Sequence, residues 1–219
     1  MNPAALGEET RQRLLQVATE LFARQGFADT TVRELAQGAR CNVAAISYHF
    51  GSKEKLYEAV MVQTFRELAG RRVASLRAVL DENHGRPTLE AVLASFASAF
   101  LDPLLAEEGA ELRLRLLLQE MVRQLLPPDL MHRELVAPVS EVLTEALASA
   151  LPTLSRDEIA LVAYSFMAQL VHVVHLHWFF PSKAQRYRSF GPGLVDHIVR
   201  FTAGGARALT AQVREEVAS

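Results

Sequence analysis

Three helix-start signals follow one another within the first sixty residues and leave room only for short helices between them. Thr31 precedes VRELAQGA, and Glu34 stands three residues later, at the spacing of a capping box. Asn42 precedes VAAISYHF, and Ser52 precedes a longer stretch that begins KEKLYEAV. Because these side chains accept hydrogen bonds from the free amides of a first helical turn, they indicate helix starts. We predict short helices up to residue 50 and a long helix that runs to about Leu80.

The remainder of the chain repeats apolar residues at spacings of three and four, the period of an α-helix. Half of all residues are hydrophobic, enough for a substantial core, and good helix formers dominate. Ser155 and Glu158 form a further capping box. We therefore predict an all-α fold. Beyond those already named, the predicted helices cover 9–25 (ended by Gly26), 88–105, 110–126, 128–151, 155 to just before 181, and a last one after 191–193.

The chain shows no sequence feature of an exported or membrane protein. Its single cysteine, Cys41, cannot form an intramolecular disulfide. The first residues lack an apolar core of signal-peptide length. The longest apolar run, near 171–180, is interrupted by three histidines and is too short to cross a bilayer. We expect a soluble, cytoplasmic protein with no membrane partner.

Residues 31–50 have the length and punctuation of a helix-turn-helix, in which the second helix enters the major groove of DNA. The N-terminal residues of that helix would face base edges, where apolar side chains can contact thymine methyl groups. Asn42 can either donate to a base or simply cap the helix. Ile46 and Phe50 fall on the opposite face and are expected in the core. The candidate base-reading residues are Asn42, Val43, Ala44, Ala45 and Tyr48.

The phosphates need separate donors, because charge totals supply none. The net charge is −2, and residues 1–60 hold seven basic and seven acidic side chains. Two helix starts, at Thr31 and Ser52, present free N–H groups that favour anions. Thr30, Thr31, His49 and Lys53 are candidate side-chain donors beside them. For Lys53 and Lys55 a solvated helix face is the alternative.

The run YHFGSKEKL stands at 48–56, the pairs LF and GF at 21–22 and 26–27, and the triplet TTV at 30–32. With these motifs, residues 13–57 resemble the DNA-binding domain of TetR-family repressors, whose closing pattern is similar to the run at 48–56. The sequence of this part most resembles a subgroup akin to the CecR-type regulators. Two features depart from the family pattern. Arg40 stands in a turn where a left-handed residue would cost about 1–2 kcal/mol, and Ser47 takes the place of the usual tyrosine, which here is Tyr48. Arg40 and Ser47 complete the candidate DNA-binding set.

The resemblance implies a DNA-binding domain over residues 1–60 and a helical-bundle domain for ligand binding and dimerisation over 61–219. The sequence supports this division, because the helix from Ser155 is apolar nearly all round and must be buried on two sides. We predict a homodimer formed through the last two helices. A small-molecule effector is expected among aromatic and Met side chains that can also be plain core. The candidate ligand-binding residues are Phe96, Phe100, Leu117, Met121 and Met167.

Other assignments are weaker. His172, His175 and His177 invite a metal site, but no acidic or Cys partner stands at ligand spacing, so we predict no metal and no cofactor. Arg113, Arg115 and Arg123 can bind an anionic effector or pair with glutamates.

The predicted function is that of a sequence-specific DNA-binding regulator of transcription, specifically a ligand-responsive repressor that binds a palindromic operator as a homodimer. A helical enzyme has no supporting constellation of catalytic residues. A protein-binding module with a vestigial helix-turn-helix would be favoured if the turn at Arg40 failed to form.

Overall fold

The structure is a computed structural model that describes residues 3–105, 110–179 and 192–218. The described residues form helices, and no strand occurs among them, so the all-α prediction is confirmed. The α-helices are α1 (Pro3–Asp29), α2 (Val32–Gly38), α3 (Ala44–Phe50), α4 (Lys53–Glu82), α5 (Leu89–Leu105), α6 (Ala110–Arg123), α7 (Pro128–Met131), α8 (Ala137–Ala150), α9 (Arg156–Phe179) and α10 (Pro192–Ala218), with a π-helical segment at His132–Val136.

The helix starts lie where the capping residues predicted them. The Ser52 hydroxyl accepts a hydrogen bond from the Lys55 N–H at 3.2 Å. Ser155 and Glu158 close a capping box, with the Glu158 N–H donating to the Ser155 hydroxyl at 3.3 Å and the Ser155 N–H donating to the Glu158 carboxylate at 2.7 Å. α1 is interrupted at Gly26, whose φ of 83° and ψ of 167° suit glycine alone. The predicted end of the first regular helix at Gly26 is therefore confirmed.

The chain divides into two compact units, each built from two stretches of sequence. The first comprises Met1–Leu68 and Ala106–Leu135, and the second comprises Ala69–Leu105 and Val136–Ser219. This division differs from the predicted boundary at residue 60. It falls inside α4, and it assigns α6 and α7 to the N-terminal unit.

The core of the N-terminal unit is the apolar face of α1, against which α2, α3 and α6 pack. Leu14 and Phe22 are fully buried there, as are Leu35 of α2 and Leu56 of α4. Phe22 meets the ring of Tyr57 edge-on, with 5.2 Å between the ring centroids. The helices α2, α3 and α6 thus each contribute one face to a common core with α1 and leave another face outside it.

In the second unit, α5 packs against α8, α9 and α10. Phe96 of α5 and Phe166 of α9 are fully buried, with ring centroids 5.8 Å apart. Gln169 of α9 donates to the Thr202 hydroxyl of α10 at 3.0 Å, which ties the last two described helices together. This unit is a helical bundle.

The helix α9 contains one stretch that is long and apolar enough to cross a membrane, Arg156–His175, with a mean hydropathy of 1.3. The sequence-based estimate, which considered only the run near 171–180, missed it. Only 28% of this stretch is buried within the chain, and Leu161 and Tyr164 are among its exposed residues. A core or interface helix meets the same criterion of length and hydropathy, so the stretch alone does not indicate a membrane span.

Candidate nucleic-acid interface

The turn between α2 and α3 is closed by a Schellman motif around Arg40. The Arg40 N–H donates to the Gln37 carbonyl at 3.1 Å, and the Cys41 N–H donates to the Ala36 carbonyl at 3.0 Å. Arg40 itself has a φ of 52°, the left-handed conformation that the sequence placed in question. The turn is therefore formed, and the condition that would have favoured a vestigial helix-turn-helix is not met.

The helix α3 is anchored by one fully buried side chain and presents some of the others outward. Ile46 is 2% exposed, which agrees with its predicted place in the core. The Asn42 side-chain oxygen accepts a hydrogen bond from the Ala44 N–H at 3.0 Å, so capping is its role in the free protein, and α3 begins slightly later than predicted. Tyr48 is 84% exposed, its ring meeting that of His49 edge-on at 4.9 Å. The outward set is Val43, Ala44, Ser47 and Tyr48, while Ala45, His49 and Phe50 are half-buried.

The predicted phosphate donors do not all lie on this surface. Thr30 is fully buried, and its hydroxyl donates to the Gly26 carbonyl at 2.7 Å, so it is not available as a donor to DNA. We correct that assignment: the hydroxyl instead satisfies a carbonyl left free where α1 breaks. Lys53 is half-buried, with its ammonium 4.3 Å from the centroid of the Phe27 ring. This contact with an aromatic face is neither of the two alternatives considered for Lys53.

Both helix starts already carry a carboxylate hydrogen-bonded to the capping residue. At α2 the Glu34 carboxylate accepts hydrogen bonds from the Thr31 N–H at 2.7 Å and from the Thr31 hydroxyl at 2.8 Å. These bonds, chiefly the one from the Thr31 N–H, lower the pKa of Glu34. The Glu34 N–H donates in return to the Thr31 hydroxyl at 3.2 Å, which confirms the predicted capping box. A fixed negative charge therefore stands at the start of α2. At α4 the Ser52 hydroxyl caps the first turn, and its hydrogen bond to the Glu54 carboxylate lowers the pKa of Glu54, so a negative charge stands at this helix start as well.

The helix α6 holds the end of α1 and the start of α4, a role that sequence reasoning missed. Gln119 donates to the Ala23 carbonyl at 3.1 Å. The Glu120 carboxylate, 3% exposed, accepts from the Tyr57 hydroxyl at 2.9 Å and from the Leu126 N–H at 2.8 Å. Burial, together with the neighbouring Glu120 carboxylate, raises the pKa of Tyr57, which keeps its hydroxyl a donor. The domain formed by α1, α2 and α3, here called the head, is thus completed by α6, which lies about fifty residues further along the chain.

The five candidate ligand-binding residues belong to different units. Phe96, Phe100 and Met167 lie in the second unit, the two phenylalanines buried and 6.0 Å apart between ring centroids. Leu117 is buried in the N-terminal unit. Met121, in the same unit, is 42% exposed and is therefore not part of a buried apolar lining in this chain.

The histidine and arginine candidates also separate. His172 is exposed and His175 is half-buried, while the side chain of His177 lies outside the described residues. Among the side chains that the structure describes, no three His, Cys, Asp or Glu come together as metal ligands would. Arg113 forms an ion pair with Glu67. Arg123 lies against Gly26, with a guanidinium nitrogen 3.5 Å from the position that a Cβ would take.

A helix-turn-helix domain, in which a short second helix is presented outward on a three-helix core, is the class that these elements define. Residues 14–60 match the family model described as bacterial regulatory proteins, tetR family. The match covers the helix-turn-helix part of the chain.

Known relatives share mainly this domain. The HTH-type transcriptional dual regulator CecR of Shigella flexneri is 47% identical over 60 residues, 26% of either chain. The HTH-type transcriptional repressor Rv3405c of Mycobacterium tuberculosis is 33% identical over 90 residues, 39% of this chain and 48% of that protein. The matches thus span about a quarter to a half of the curated relatives. Both relatives are named as regulators of transcription.

The likeness in fold extends further along the chain. A transcriptional regulator from Saccharomonospora viridis, solved in complex with choline, superposes with a TM-score of 0.63 at 16% identity. The superposition covers 90% of this chain and 95% of that one. At this identity the likeness concerns the fold alone.

Proposed function

We propose that the protein is a sequence-specific DNA-binding regulator of transcription that represses from a palindromic operator as a homodimer and releases it when a small molecule binds. The observation that carries the proposal is the outward face of α3, with Val43, Ala44, Ser47 and Tyr48 exposed on a helix fixed by its buried Ile46. Small side chains at the start of such a helix permit close approach to the floor of the major groove. The tetR-family match of residues 14–60 supports the same function.

A homodimer through α9 and α10 follows from the apolar side chains that those helices leave uncovered. Leu161 and Tyr164 of α9 are 61% and 72% exposed, and Phe201 of α10 is 68% exposed. Large exposed apolar side chains on neighbouring helices are typical of an interface. A second copy of the chain related by a twofold axis would cover them and present two copies of α3 to the two halves of a palindrome. A cytoplasmic location follows, because the operator lies there.

Response to a small molecule is proposed from the fold and from the buried aromatic cluster of the second unit. The Saccharomonospora regulator was solved with choline, which supports ligand binding in proteins of this fold. An effector would act through a difference in its affinity for the DNA-binding and the non-binding states.

The proposal is tested by selecting DNA sequences that the purified full-length protein binds and measuring affinity by fluorescence anisotropy across a salt series. We expect a palindrome with half-site centres about 34–36 Å apart or a multiple of that distance, and a linear fall of log affinity with log salt. Tyr48→Ala should weaken binding to the selected site by roughly 5- to 150-fold, since a readout residue contributes about 1–3 kcal/mol.

A matched pair of lysine variants distinguishes a phosphate contact from the general effect of losing one positive charge. Lys53→Met should reduce the salt slope by about 1 if Lys53 contacts a phosphate. Lys55→Met, which removes the same charge from an exposed residue paired with Glu58, should leave the slope unchanged. Binding without sequence preference, or without salt dependence, would contradict the proposed function.

A further inference from the structure

One buried side chain of the second unit has no role in the functions described so far. Arg72 of α4 is only 5% exposed. Its Nε is the one buried side-chain nitrogen or oxygen without a hydrogen-bond partner among the described residues. Burial lowers the pKa of Arg72 to about 10, so the guanidinium remains charged at neutral pH. A buried cation without a counter-ion is among the costliest arrangements in a protein interior, which calls for an explanation.

Phe100 covers one face of the Arg72 guanidinium, while the buried Nε on its edge has no hydrogen-bond partner among the described residues. The guanidinium carbon lies 4.0 Å from the centroid of the Phe100 ring, which is itself buried. A ring stacked on the planar face does not satisfy the N–H groups, since these point outward in the plane. The edge formed by Nε and an adjacent terminal nitrogen is the part of arginine that binds a carboxylate through two parallel hydrogen bonds. Here the Nε half of that edge is unpartnered.

Acidic side chains of the second unit form ion pairs with arginines other than Arg72. Glu90 pairs with Arg207, and Glu145 pairs with Arg77. In the described part of the chain, no carboxylate forms an ion pair with Arg72. One helical turn along α4, Ser75 pairs with Ser95 of α5 and is also satisfied. Among the described residues, the buried polar atom that lacks a hydrogen-bond partner is therefore the Nε of Arg72.

We propose that Arg72 is the anchor for the effector and that the effector is a small organic carboxylate whose apolar body packs on the phenylalanine cluster of α5. This inference rests on the proposed function in that it names the chemical class of the effector. Phe96 lies 6.0 Å from Phe100 and 5.8 Å from Phe166 between ring centroids, so the charged edge adjoins an aromatic cluster. A monoanion with an apolar body suits such a place better than inorganic phosphate, because a dianion loses more hydration on burial.

The test uses the full-length protein without DNA, with thermal unfolding followed by fluorescence. The probes are octanoate and phenylacetate, their neutral amides octanamide and phenylacetamide, and inorganic phosphate. At a concentration near one hundred times its Kd, a carboxylate that binds only the folded protein should raise Tm by roughly 5 °C or more. The amides and phosphate should shift Tm by less than about 1 °C, because we expect them not to bind. Binding as tight as that of the carboxylates would shift Tm by more than this.

Arg72→Met should abolish the carboxylate shift, Arg72→Lys should retain part of it, and Arg71→Met is the matched control. Arg71 is the exposed neighbour of Arg72, so its replacement should leave the shift intact. Without ligand, Arg72→Met should unfold at or above the Tm of the wild type, because it replaces an unpartnered buried cation by an apolar chain of similar length. A Tm well below that of the wild type would mean that Arg72 is a structural residue and would overturn the proposal.

Three further outcomes would also overturn it: no carboxylate-specific shift, a shift that persists in Arg72→Met, or an equal shift with the amide or with phosphate. DNA binding measured on the same preparations separates this inference from the proposed function. Carboxylate binding that depends on Arg72 in a protein without sequence-specific DNA binding would sustain the inference and refute the proposed function. The opposite pattern would refute the inference alone.

Discussion

At Arg40 two requirements act on one residue in opposite directions. The turn needs a left-handed backbone, in which a non-glycine residue is strained. The proposed interface benefits from a cation between α2 and α3. His84 is in the same conformation at the end of α4, with a φ of 51° and the same Schellman pattern of hydrogen bonds. It lies outside the helix-turn-helix and so provides a comparison.

Arg40→Gly is expected to stabilise the protein by up to about 1 kcal/mol, the relief of left-handed strain less the added entropy of the unfolded chain. Tm should rise by about 2–4 °C. DNA affinity should fall if the side chain contacts a phosphate. His84→Gly should give a similar gain in stability with no change in DNA affinity. A loss of stability in Arg40→Gly would show that the Arg40 side chain contributes more to the fold than its backbone strain costs.

At the scale of helices, α6 is the element that fixes the head. Glu120 joins the Tyr57 hydroxyl to the Leu126 N–H inside the N-terminal unit, and both donors depend on the same carboxylate. The contact links the first turns of α4 to the end of α6. A buried carboxylate with two donors is sensitive to removal, because each donor then lacks a partner.

Glu120→Ala should lower the free energy of unfolding by at least about 2 kcal/mol, since each buried unsatisfied group costs roughly 1–3 kcal/mol. Glu120→Gln keeps an acceptor oxygen and should cost less, and Tyr57→Phe should cost about 1 kcal/mol. Urea titration of the four proteins, wild type included, gives these values. Glu67→Gln is the control: it also breaks a contact between α4 and α6, the ion pair with Arg113, but a partly exposed one worth at most about 1 kcal/mol. Equal losses in Glu120→Ala and Glu67→Gln would contradict the role assigned to Glu120.

The helices that the sequence predicts and the contacts that it misses differ in range. Caps at Thr31, Ser52 and Ser155 join residues three apart, so the pattern is visible in a short window. The contact between Tyr57 and Glu120 spans 63 residues, and no local pattern reveals it. The burial of Arg72 is likewise invisible in the sequence. Beside Arg71 on a long helix it looks like another solvated charge, and only the packing of the folded chain shows that it is buried.

For the whole molecule, the net charge and the uncovered side chains of α9 and α10 lead to one expectation. A chain with a net charge of −2 is not drawn to DNA by its overall field. Affinity would have to come from two correctly spaced heads. Dimerisation is then a condition for tight binding.

Tyr164 and Phe201 are 72% and 68% exposed in the single chain. Replacing both by Glu should convert the protein to a monomer, because the proposed interface would then have to bury two charged side chains. Sedimentation velocity at micromolar concentration measures the change. Affinity for a full palindrome should fall to that for a half-site. Val122→Glu, at an apolar residue that is 70% exposed in the N-terminal unit, is the control and should leave the dimer intact. A wild-type monomer, or a double variant that remains dimeric, would argue against this interface.

The place of α6 within the N-terminal unit has a practical consequence for protein engineering. A chimera that joins this head to another regulator at residue 60 or 68 would leave behind the donor to the Ala23 carbonyl and the acceptor for the Tyr57 hydroxyl. The transplanted head would then have to fit a foreign α6. Exchange of DNA specificity by module grafting therefore requires two insertions, 1–68 together with 106–135, or else substitutions confined to the outward face of α3.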